Sequence, residues 1–372
     1  MSRAMIYCDY NAGAPVRPEA ADAVARALEA GGNASSVHGV GRRAHGLLED
    51  ARERVAAAID ARAENIVFTS GATEALHLAI DAASAASLII SAVEHDAVHE
   101  HAKRREALMA PVDANGLIDL DALAGLLAQV AKPALVVVQL ANNETGVIQP
   151  IARVAALARE HGALLLVDAA QAVGRIPVSL ADLDASYLVL SSHKIGGPPG
   201  AGALALAPGA PFRTTRFGGG QERGRRPGTE NVAGLAGFGV AAEIAARSQA
   251  NEAQRLAALR DRFEAGAPRD AVVFGAKAPR LANTSNFALP RIAAETAVIA
   301  MDLEGVCISS GAACSSGKVR ASRVLAAMGV APDLAKSALR VSFGWASRES
   351  DVDAALAALS KISSRRALQG AA

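Results

Sequence analysis

The chain has 372 residues, 51% of them apolar and 3% aromatic, with a formal net charge of +1 at pH 7. This length exceeds what a single hydrophobic core supports, so we expect two domains, and the near-zero charge excludes a general affinity for nucleic acid or for an anionic membrane surface. The sequence opens without an apolar signal-peptide core and has no run of the roughly 18 apolar residues that span a membrane, so we expect a soluble, cytoplasmic protein whose partners are small molecules or proteins.

A short strand and two helices open the chain. The strand is predicted over residues 4–8, before the turn-forming residues 9–15, and the helices near residues 18–30 and 42–59. Beyond them, strands and helices alternate. The strands, all apolar, are predicted at residues 65–69, 87–91, 134–140, 163–167 and 185–190, and the helices near 73–83, 96–107, 120–130 and 150–161. This pattern predicts an α/β fold in which helices cover both faces of a mostly parallel sheet.

One more strand, a loop and a long helix lead from this large pattern into a second, smaller α/β unit. A strand at residues 202–207 precedes a loop rich in glycine and arginine at 217–231 and a long helix at 232–265. Further strands are predicted near residues 271–274, 284–288, 305–308 and 338–343, and further helices near 293–303 and 350–363. We interpret residues 14–250 as a large domain, and residues 1–13 together with 251–372 as a small one.

Lys194 stands at the end of the apolar strand 185–190, just before a turn of glycine and proline. Open α/β sheets bind their ligands at strand ends. A lysine that is poorly solvated there has a lowered pKa, and its neutral amine can form a Schiff base. Taken alone, the pattern fits a surface lysine in a turn equally well.

Two further strand ends carry groups suited to a charged ligand. The segment Ile66-Val-Phe-Thr-Ser-Gly-Ala-Thr73 leads from a strand into a helix, and the free amides of a helix N-terminus bind anions. Asp168 ends the apolar strand 163–167, where a carboxylate needs a cation or hydrogen-bond donors, such as a protonated pyridine nitrogen. An ordinary helix cap explains either feature separately.

Polar groups also follow the other two strands of this pattern. Asn143 lies where its amide would reach a ring hydroxyl, although a turn containing asparagine and glycine has the same sequence. His95 is placed to stack on a ring or to move a proton. His95, His99 and His101 also suggest a metal, but no carboxylate or cysteine stands at ligand spacing, so we expect no metal. Together, the anion site, pyridinium partner, ring-oxygen donor, imidazole and Schiff-base lysine describe a pyridoxal-phosphate site.

Nearly end to end, the chain resembles the cysteine desulfurases of the NifS/IscS type, within the class V aminotransferase-like, fold type I pyridoxal-phosphate enzymes. The resemblance rests on short motifs spread along the chain: Asp9-Tyr-Asn-Ala12, Gly71-Ala-Thr-Glu74, Glu94-His95, Asn142-Asn-Glu-Thr-Gly146, Asp168-Ala-Ala-Gln171, Ser192-His-Lys194, the Gly-Gly-Gly-Gln-Glu-Arg-Gly stretch from Gly218, Gly228-Thr-Glu-Asn231 and Ser309-Ser-Gly-Ala-Ala-Cys314.

The resemblance implies a role for each matched residue. The residues implied to bind the cofactor are Ala72, Thr73, Asn143, Asp168, Gln171, Ser191, Ser192, His193 and Lys194, with Thr229 reaching the phosphate of the other subunit of a homodimer. His95 would stack on the ring and assist proton transfer. Asn11 and Arg340 would bind the substrate, Arg340 by gripping its carboxylate. Without the resemblance, Arg340 is a charged residue in a strand, more often a salt-bridge partner.

The three cysteines, Cys8, Cys307 and Cys314, lack zinc-ligand spacing and predict neither a disulfide framework nor a structural metal. Cys314 stands among small polar residues near Lys318, as expected of a loop that exposes a thiolate. By resemblance, L-cysteine is the substrate, Cys314 takes its sulfur as a persulfide, and L-alanine is released. The sulfur would pass to an iron-sulfur scaffold protein, with Cys314 as a transient contact to the cluster.

Two departures from the family pattern touch the rim of the site: Gly13-Ala14 replaces two threonines, and Phe217 replaces a histidine. Alternatives stay open at this stage. Another class V reaction, such as transamination or selenocysteine cleavage, would use the same cofactor, and a nucleotide-binding scaffold would use the glycines and arginines of residues 218–226 on phosphates. Supply of nitrogenase clusters and general iron-sulfur assembly both fit as destinations for the sulfur, and by resemblance the Gly-Gly-Gly-Gln-Glu-Arg and Gly-Thr-Glu-Asn motifs favour the NifS type.

Overall fold

The computed structural model describes residues 5–311 and 322–369, with side chains described as far as residue 364. Within those ranges no helix combines the length and the apolar character needed to cross a membrane. The strands are β1 (Ile6–Tyr7), β2 (Ile66–Thr69), β3 (Ser87–Ser91), β4 (Leu108–Ala110), β5 (Ala134–Gln139), β6 (Leu164–Asp168), β7 (Tyr187–Ser191), β8 (Gly202–Leu206), β9 (Val272–Val273), β10 (Thr284–Ala288), β11 (Val306–Cys307), β12 (Ser309–Ser310) and β13 (Ala338–Ser342). The helices are α1 (Pro18–Ala30), α2 (Gly39–Ala57), α3 (Ala72–Ala82), α4 (Asp96–Ala102), α5 (Leu120–Gln129), α6 (Ile151–Glu160), α7 (Val232–Gly266), α8 (Ala294–Leu303), α9 (Arg323–Ala327), α10 (Pro332–Ala335) and α11 (Glu349–Gln369).

Seven strands form the central sheet, in the order β2-β8-β7-β6-β5-β3-β4. Strand β8 is antiparallel to both of its neighbours, and the other pairs are parallel. Strands β5, β7 and β8 are buried along their whole length, because apolar side chains on both faces pack under helices. The predicted α/β fold with a mostly parallel, helix-covered sheet is confirmed. The parallel strands β3, β5, β6 and β7 bring their carboxyl ends to one edge.

A second core lies around a smaller sheet of order β12-β13-β10-β9, all antiparallel. Its apolar side chains come from both ends of the chain, since Cys8 packs in one cluster with residues from Leu256 to Ile362. The 35-residue helix α7 contributes to this core through Leu256 and Phe263, and to the core of the central sheet through Leu235 and Phe238. Strand β1 pairs in parallel with β11 beside the small sheet.

The structure corrects the predicted elements in two regions. The helix predicted over residues 96–107 ends at Ala102 and is followed by a short 3-10 turn and by Glu106 in a left-handed conformation, with φ of 48°. The chain reverses direction at Glu106 and then forms the three-residue edge strand β4, which was not predicted from the sequence. The strand predicted at 305–308 is two short strands, β11 and β12, which join different sheets. The short helices α9 and α10 were also missed.

Candidate active site

A cavity of about 440 Å³ lies at the carboxyl edge of the central sheet. It brings together most of the cofactor residues implied by the resemblance: Ala72, Thr73, His95, Asn143, Asp168, Gln171, Ser191, His193 and Lys194 all line it. Ser192, Asn11, Thr229 and Arg340 do not line this cavity. Cys314 and Lys318 lie outside the described residues, so the structure gives no account of the predicted thiol site.

The N-terminus of helix α3 forms one end of the cavity. No side chain of the described residues caps this helix, so its first amides lie at the cavity without an intrahelical acceptor. Strand β8 packs closely behind this end of the helix. A Cβ atom added at Gly202 would lie only 2.6 Å from the Cα of Gly71, so this position has no room for a side chain. Glu74 Oε2 accepts a hydrogen bond from the Ser70 amide at 2.6 Å. Burial would raise the pKa of Glu74, but hydrogen bonds from Arg226 and Ser70 lower it to about 2. The free amides of α3 suit a phosphate, while the negative charge of Glu74 is paired with Arg226 and Arg216.

Lys194 follows strand β7 in a single 3-10 turn. Its Nζ donates to the backbone oxygens of Asn11 at 2.6 Å and Ala12 at 2.8 Å, so the N-terminal segment holds the ammonium group in this state. Beside it, the Nδ1 of His193 lies 3.1 Å from the Ser191 hydroxyl. Burial, together with the charge of Lys194, lowers the pKa of His193 to about 4, so this imidazole is neutral.

Asp168 is the last residue of β6 and pairs in register with Gln139 at the end of β5. Burial raises the pKa of the Asp168 carboxyl group. A positive charge placed beside this group would lower the pKa again. The Oδ1 atom accepts from the Ala170 amide at 2.9 Å, so the side chain caps the turn that follows β6; the helix that the alternative interpretation placed there is not formed. The buried hydroxyl of Ser192 has no hydrogen-bond partner among residues 5–311 and 322–364.

His95 caps helix α4, a role the sequence analysis did not give it. Its Nδ1 accepts from the Ala97 amide at 3.1 Å, which assigns the ring proton to Nε2. Burial lowers the pKa of His95, so the ring is neutral. His95, His99 and His101 do not converge: His101 Nε2 bonds to Asp81 at 2.9 Å, and His99 is buried elsewhere. No cluster of metal-binding side chains occurs in the described part of the chain.

Behind the cavity, hydrogen bonds fix the amides of Gln171 and Asn11. Gln171 donates from Nε2 to the Asn11 oxygen at 2.9 Å, and its Oε1 accepts from Arg175. Burial, and then the charge of Arg340, lowers the pKa of Arg175 to about 9. The Asn11 side chain donates to Asn143 O at 3.1 Å and to Thr284 Oγ1 at 2.9 Å. Both Asn11 and Gln171 are therefore oriented before any ligand arrives.

Arg340, in strand β13, lies one layer behind Asn143. Its Nη1 donates to the Asn143 oxygen at 3.0 Å, and its Nη2 to Asp9 Oδ1 at 2.6 Å. The side chain is fully buried. The salt-bridge role that residue type alone suggested is therefore present, with a partner, Asp9, that the sequence analysis quoted in a motif without assigning it a function.

The two described thiols are poor nucleophiles at neutral pH. Cys8 is completely buried, and burial raises its pKa to about 12. Cys307 is partly exposed, and burial again raises its pKa. The Ser322 hydroxyl donates to Glu144 Oε2 at 2.5 Å. Burial raises the pKa of Glu144 to about 7.

Thr229 lines a neighbouring cavity of about 90 Å³, which shares Ser70 and Gly200 with the larger one. The loop that carries Thr229 is anchored by a buried ion pair, in which Arg52 donates to both oxygens of Glu222 at 2.7 and 2.8 Å. Phe217, in the same loop, is 88% exposed. Its large apolar surface faces solvent in the single chain.

Four residues around the cavity were assigned no role from the sequence, although Glu94 and Asp9 lie in quoted motifs. Gln139 lines it at the end of an apolar strand, the same signal that identified Asp168. The buried Glu94 accepts from the Gln139 amide at 2.8 Å, and burial raises its pKa well above the ordinary range. Arg175 and Asp9 act through contacts with residues far away in the chain, which local patterns do not reveal.

The comparison with protein families matches residues 6–355 to the class V aminotransferase model. Among curated proteins, the chain is similar to "Cysteine desulfurase IscS" of Dictyoglomus turgidum, at 38% identity over 96% of this chain and 94% of the relative. It is also similar to "Cysteine desulfurase" of Rhodobacter capsulatus, at 42% identity over 97% of each chain.

Solved structures give the same result. A NifS-like protein from Rickettsia africae ESF-5 superimposes with a TM-score of 0.91 at 31% identity, covering 97% of this chain and 99% of the other. A second NifS-like protein has a TM-score of 0.89 at 32% identity, with the same coverage. The structural similarity therefore extends over both hydrophobic cores and over the cavity at the carboxyl edge of the central sheet.

Proposed function

The chain belongs to the class V aminotransferase family, and from this membership we propose that it is a cysteine desulfurase, which takes sulfur from L-cysteine and releases L-alanine. The observation that carries the proposal is the cavity where Lys194, Asp168 and His95 meet the open N-terminus of helix α3. The names of the similar proteins favour this reaction over transamination or selenocysteine cleavage.

The members of this family use pyridoxal 5'-phosphate, which when bound withdraws electrons from the α-carbon of the substrate. The residues of the cavity fit this cofactor. The amides of α3, with Thr73, Ser191 and His193, suit its phosphate. Asp168 would become fully charged beside a ring nitrogen cation, and thereby keep that proton in place.

Lys194 is the residue we assign to moving the α-proton. Its Nζ must first leave the carbonyls of Asn11 and Ala12, after which an uncharged amine can accept a proton. His95 presents a neutral ring with the proton on Nε2, so it can donate that proton or stack against a ring. Gln171 and Asn143 are proposed to contact the ring oxygen of the cofactor, as the resemblance implies.

Cys314 is the proposed sulfur acceptor. Its thiolate attacks the substrate sulfur, so that an S–S bond forms while the C–S bond breaks. The bonding electrons stay with the substrate carbon, which then takes up a proton and leaves as alanine. Cys8 and Cys307 are unsuited to this step because their raised pKa values keep them as thiols.

Arg340 and Asn11 are proposed to recognise the substrate. Arg340 is placed behind Asn143, which lines the cavity, and its planar fork matches an α-carboxylate. Asn11 touches both Lys194, through its carbonyl oxygen, and the Asn143 turn, through its amide. A substrate amino acid bound between these residues would have its α-carbon near Lys194.

Larger assemblies are part of the same proposal. We expect a homodimer in which Thr229 of one subunit approaches the phosphate of the other, and the exposed Phe217 of the same loop supports an interface there. The persulfide is expected to pass to an iron-sulfur scaffold protein in the cytoplasm, for general or nitrogenase clusters. The division into residues 14–250 and residues 1–13 with 251–372 is likewise kept as a proposal, supported by the two separate cores.

A pair of cysteine variants tests the function. Cys314→Ser should bind pyridoxal phosphate and change its absorption with L-cysteine, yet release no alanine in a single turnover. Cys307→Ser is the matched control and should make alanine at the wild-type rate. Mass spectrometry of the wild-type protein after one turnover should find one added sulfur on the peptide containing Cys314. Alanine release by Cys314→Ser at the wild-type rate would contradict the proposal.

A further inference from the structure

Asp9 forms an ion pair with Arg340, the residue to which the proposed function assigns the binding of the substrate carboxylate. Its Oδ1 accepts from Arg340 Nη2 at 2.6 Å. The Arg340 side chain is 1% exposed and that of Asp9 is 16% exposed, so Asp9 is the partner that reaches solvent. The backbone of Asp9 is fixed, because its carbonyl accepts from the Ala12 amide at 3.0 Å. Release of Arg340 therefore requires only the Asp9 side chain to turn.

The guanidinium group of Arg340 has an unused donor on the same edge. Its Nε is buried and has no hydrogen-bond partner within residues 5–311 and 322–364. Nε and Nη2 form one side of the planar fork, and a carboxylate lying along that side accepts from both. Asp9 accepts a hydrogen bond from Nη2, and Nε has no partner among the described residues. A second carboxylate, better aligned, would gain a hydrogen bond that Asp9 does not make.

We propose that Asp9 is a specificity-determining residue, an internal competitor that holds Arg340 until the carboxylate of an amino-acid substrate replaces it. The exchange of one carboxylate for another keeps the buried arginine paired throughout, which avoids the strongly unfavourable state of an uncompensated buried charge. A ligand without a carboxylate cannot displace Asp9 and gains nothing from Arg340. The inference rests on the proposed function for two points, the binding of the substrate carboxylate by Arg340 and the identity of the substrate, a thiol-bearing α-amino acid.

The contact with Asn143 connects this exchange to the cavity. The Asn143 oxygen accepts from Arg340 Nη1 at 3.0 Å and from Asn11 Nδ2 at 3.1 Å, and Asn143 lines the cavity. These bonds hold the opposite side of the guanidinium while Nε and Nη2 change partner. The arginine therefore stays in place and only its anion changes.

A purely supporting role for Asp9 predicts the opposite behaviour. If Asp9 served to orient Arg340, its removal would disorder the guanidinium and weaken binding of any carboxylate. If Asp9 competes, its removal leaves a buried cation without an anion, and an external carboxylate binds more tightly. The sign of the change in affinity separates the two roles.

The test measures binding of propionate, which has a carboxylate but neither amine nor thiol, to the holoenzyme by titration calorimetry. For Asp9→Asn we expect propionate to bind at least about tenfold more tightly than to the wild type, equivalent to about 1.4 kcal/mol. We also expect saturating propionate to raise the melting temperature of Asp9→Asn more than that of the wild type, because ligand binding to the folded state adds to stability.

A matched control comes from a second ion pair of similar burial. Arg280 and Glu264 are 8% and 19% exposed, and their nitrogen and oxygen lie 2.7 Å apart. Glu264→Gln should therefore lose stability without gaining affinity for propionate. The double variant Asp9→Asn with Arg340→Gln should not show the tighter propionate binding of Asp9→Asn, because the guanidinium group that would bind the carboxylate is absent.

Equal or weaker propionate binding by folded Asp9→Asn would overturn the inference. Crystals of the wild-type holoenzyme soaked in propionate provide a measurement that needs no variant: Asp9 should have left Arg340, and propionate bound to Arg340 with the Asp9 contact intact would also refute it. Neither result depends on turnover. Absence of alanine formation by the wild type would refute the desulfurase proposal while leaving the propionate comparison in force.

Discussion

Removing the carboxylate of Glu222 should destabilise the protein more than any ordinary surface change. Arg52 and Glu222 have side chains 5% and 1% exposed, and they form a bidentate pair. Glu222 Oε2 also accepts from the Phe68 amide at 2.8 Å, and the guanidinium lies 4.6 Å from the centre of the Phe68 ring. Glu222→Ala leaves the Phe68 amide without its acceptor, and it removes the bidentate partner of the buried Arg52, which keeps only Glu49 Oε1 at 2.9 Å and the Ile66 oxygen at 3.0 Å. Breaking a buried pair in this way costs about 3–5 kcal/mol of unfolding free energy.

Urea denaturation followed by circular dichroism measures this loss directly. A matched surface control is Asp333→Ala, which removes an exposed partner of Lys336, with side chains 96% and 68% exposed, and should change stability by about 0–1 kcal/mol. Because Glu222 belongs to the loop of Thr229, the same variant should weaken cofactor binding. An unfolding free energy for Glu222→Ala within about 1 kcal/mol of the wild type would refute the reasoning from buried charge.

Three further predictions concern the cavity. Lys194→Ala should abolish alanine formation and the absorption band of the lysine-bound cofactor, and normal turnover would contradict its assignment. Asp168→Asn should fold but lose most activity, with circular dichroism as the check on folding; a near wild-type rate would remove the proposed role. Burial raises the pKa of Glu94, so the folded state keeps a proton that the unfolded state loses above the ordinary glutamate pKa, and stability falls as pH rises. Glu94→Gln removes that loss, so in thermal melts its stability relative to the wild type should increase as the pH rises above the ordinary glutamate pKa, and a difference independent of pH would be inconsistent with the buried acid.

The sequence predicted those parts of the site in which a polar residue interrupts an apolar run. Asp168 and Lys194 end or follow buried strands, and parallel pairing places such ends together. His95 was predicted at a strand end, but its capping bond to Ala97 depends on where helix α4 begins. The fold class, the family and the cofactor were predictable for the same reason, since the motifs lie at these strand ends.

Other parts were hidden because they depend on partners remote in the chain. Asp9 and Arg340 are 331 positions apart, and neither residue has a local pattern that indicates the other. The edge strand β4 was missed because its exposed residues, Leu108 and Met109, lack the alternation or burial by which strands are recognised. The thiol of Cys314 stays a prediction, since it lies outside the described residues.

The packing of Cys8 with residues from Leu256 to Ile362 has a consequence for the order in which the protein folds. During synthesis Cys8 leaves the ribosome long before Ile362 does, so the core that receives Cys8 is complete only after the residues up to Ile362 have emerged. Contacts that join such distant positions form late, because closing a long loop costs entropy before any contact compensates it. The central sheet can therefore assemble while residues 5–13 are still unattached, and the carbonyls that hold Lys194 arrive last. The catalytic cavity is therefore completed only after the residues of the second core, as far as Ile362, have been synthesised.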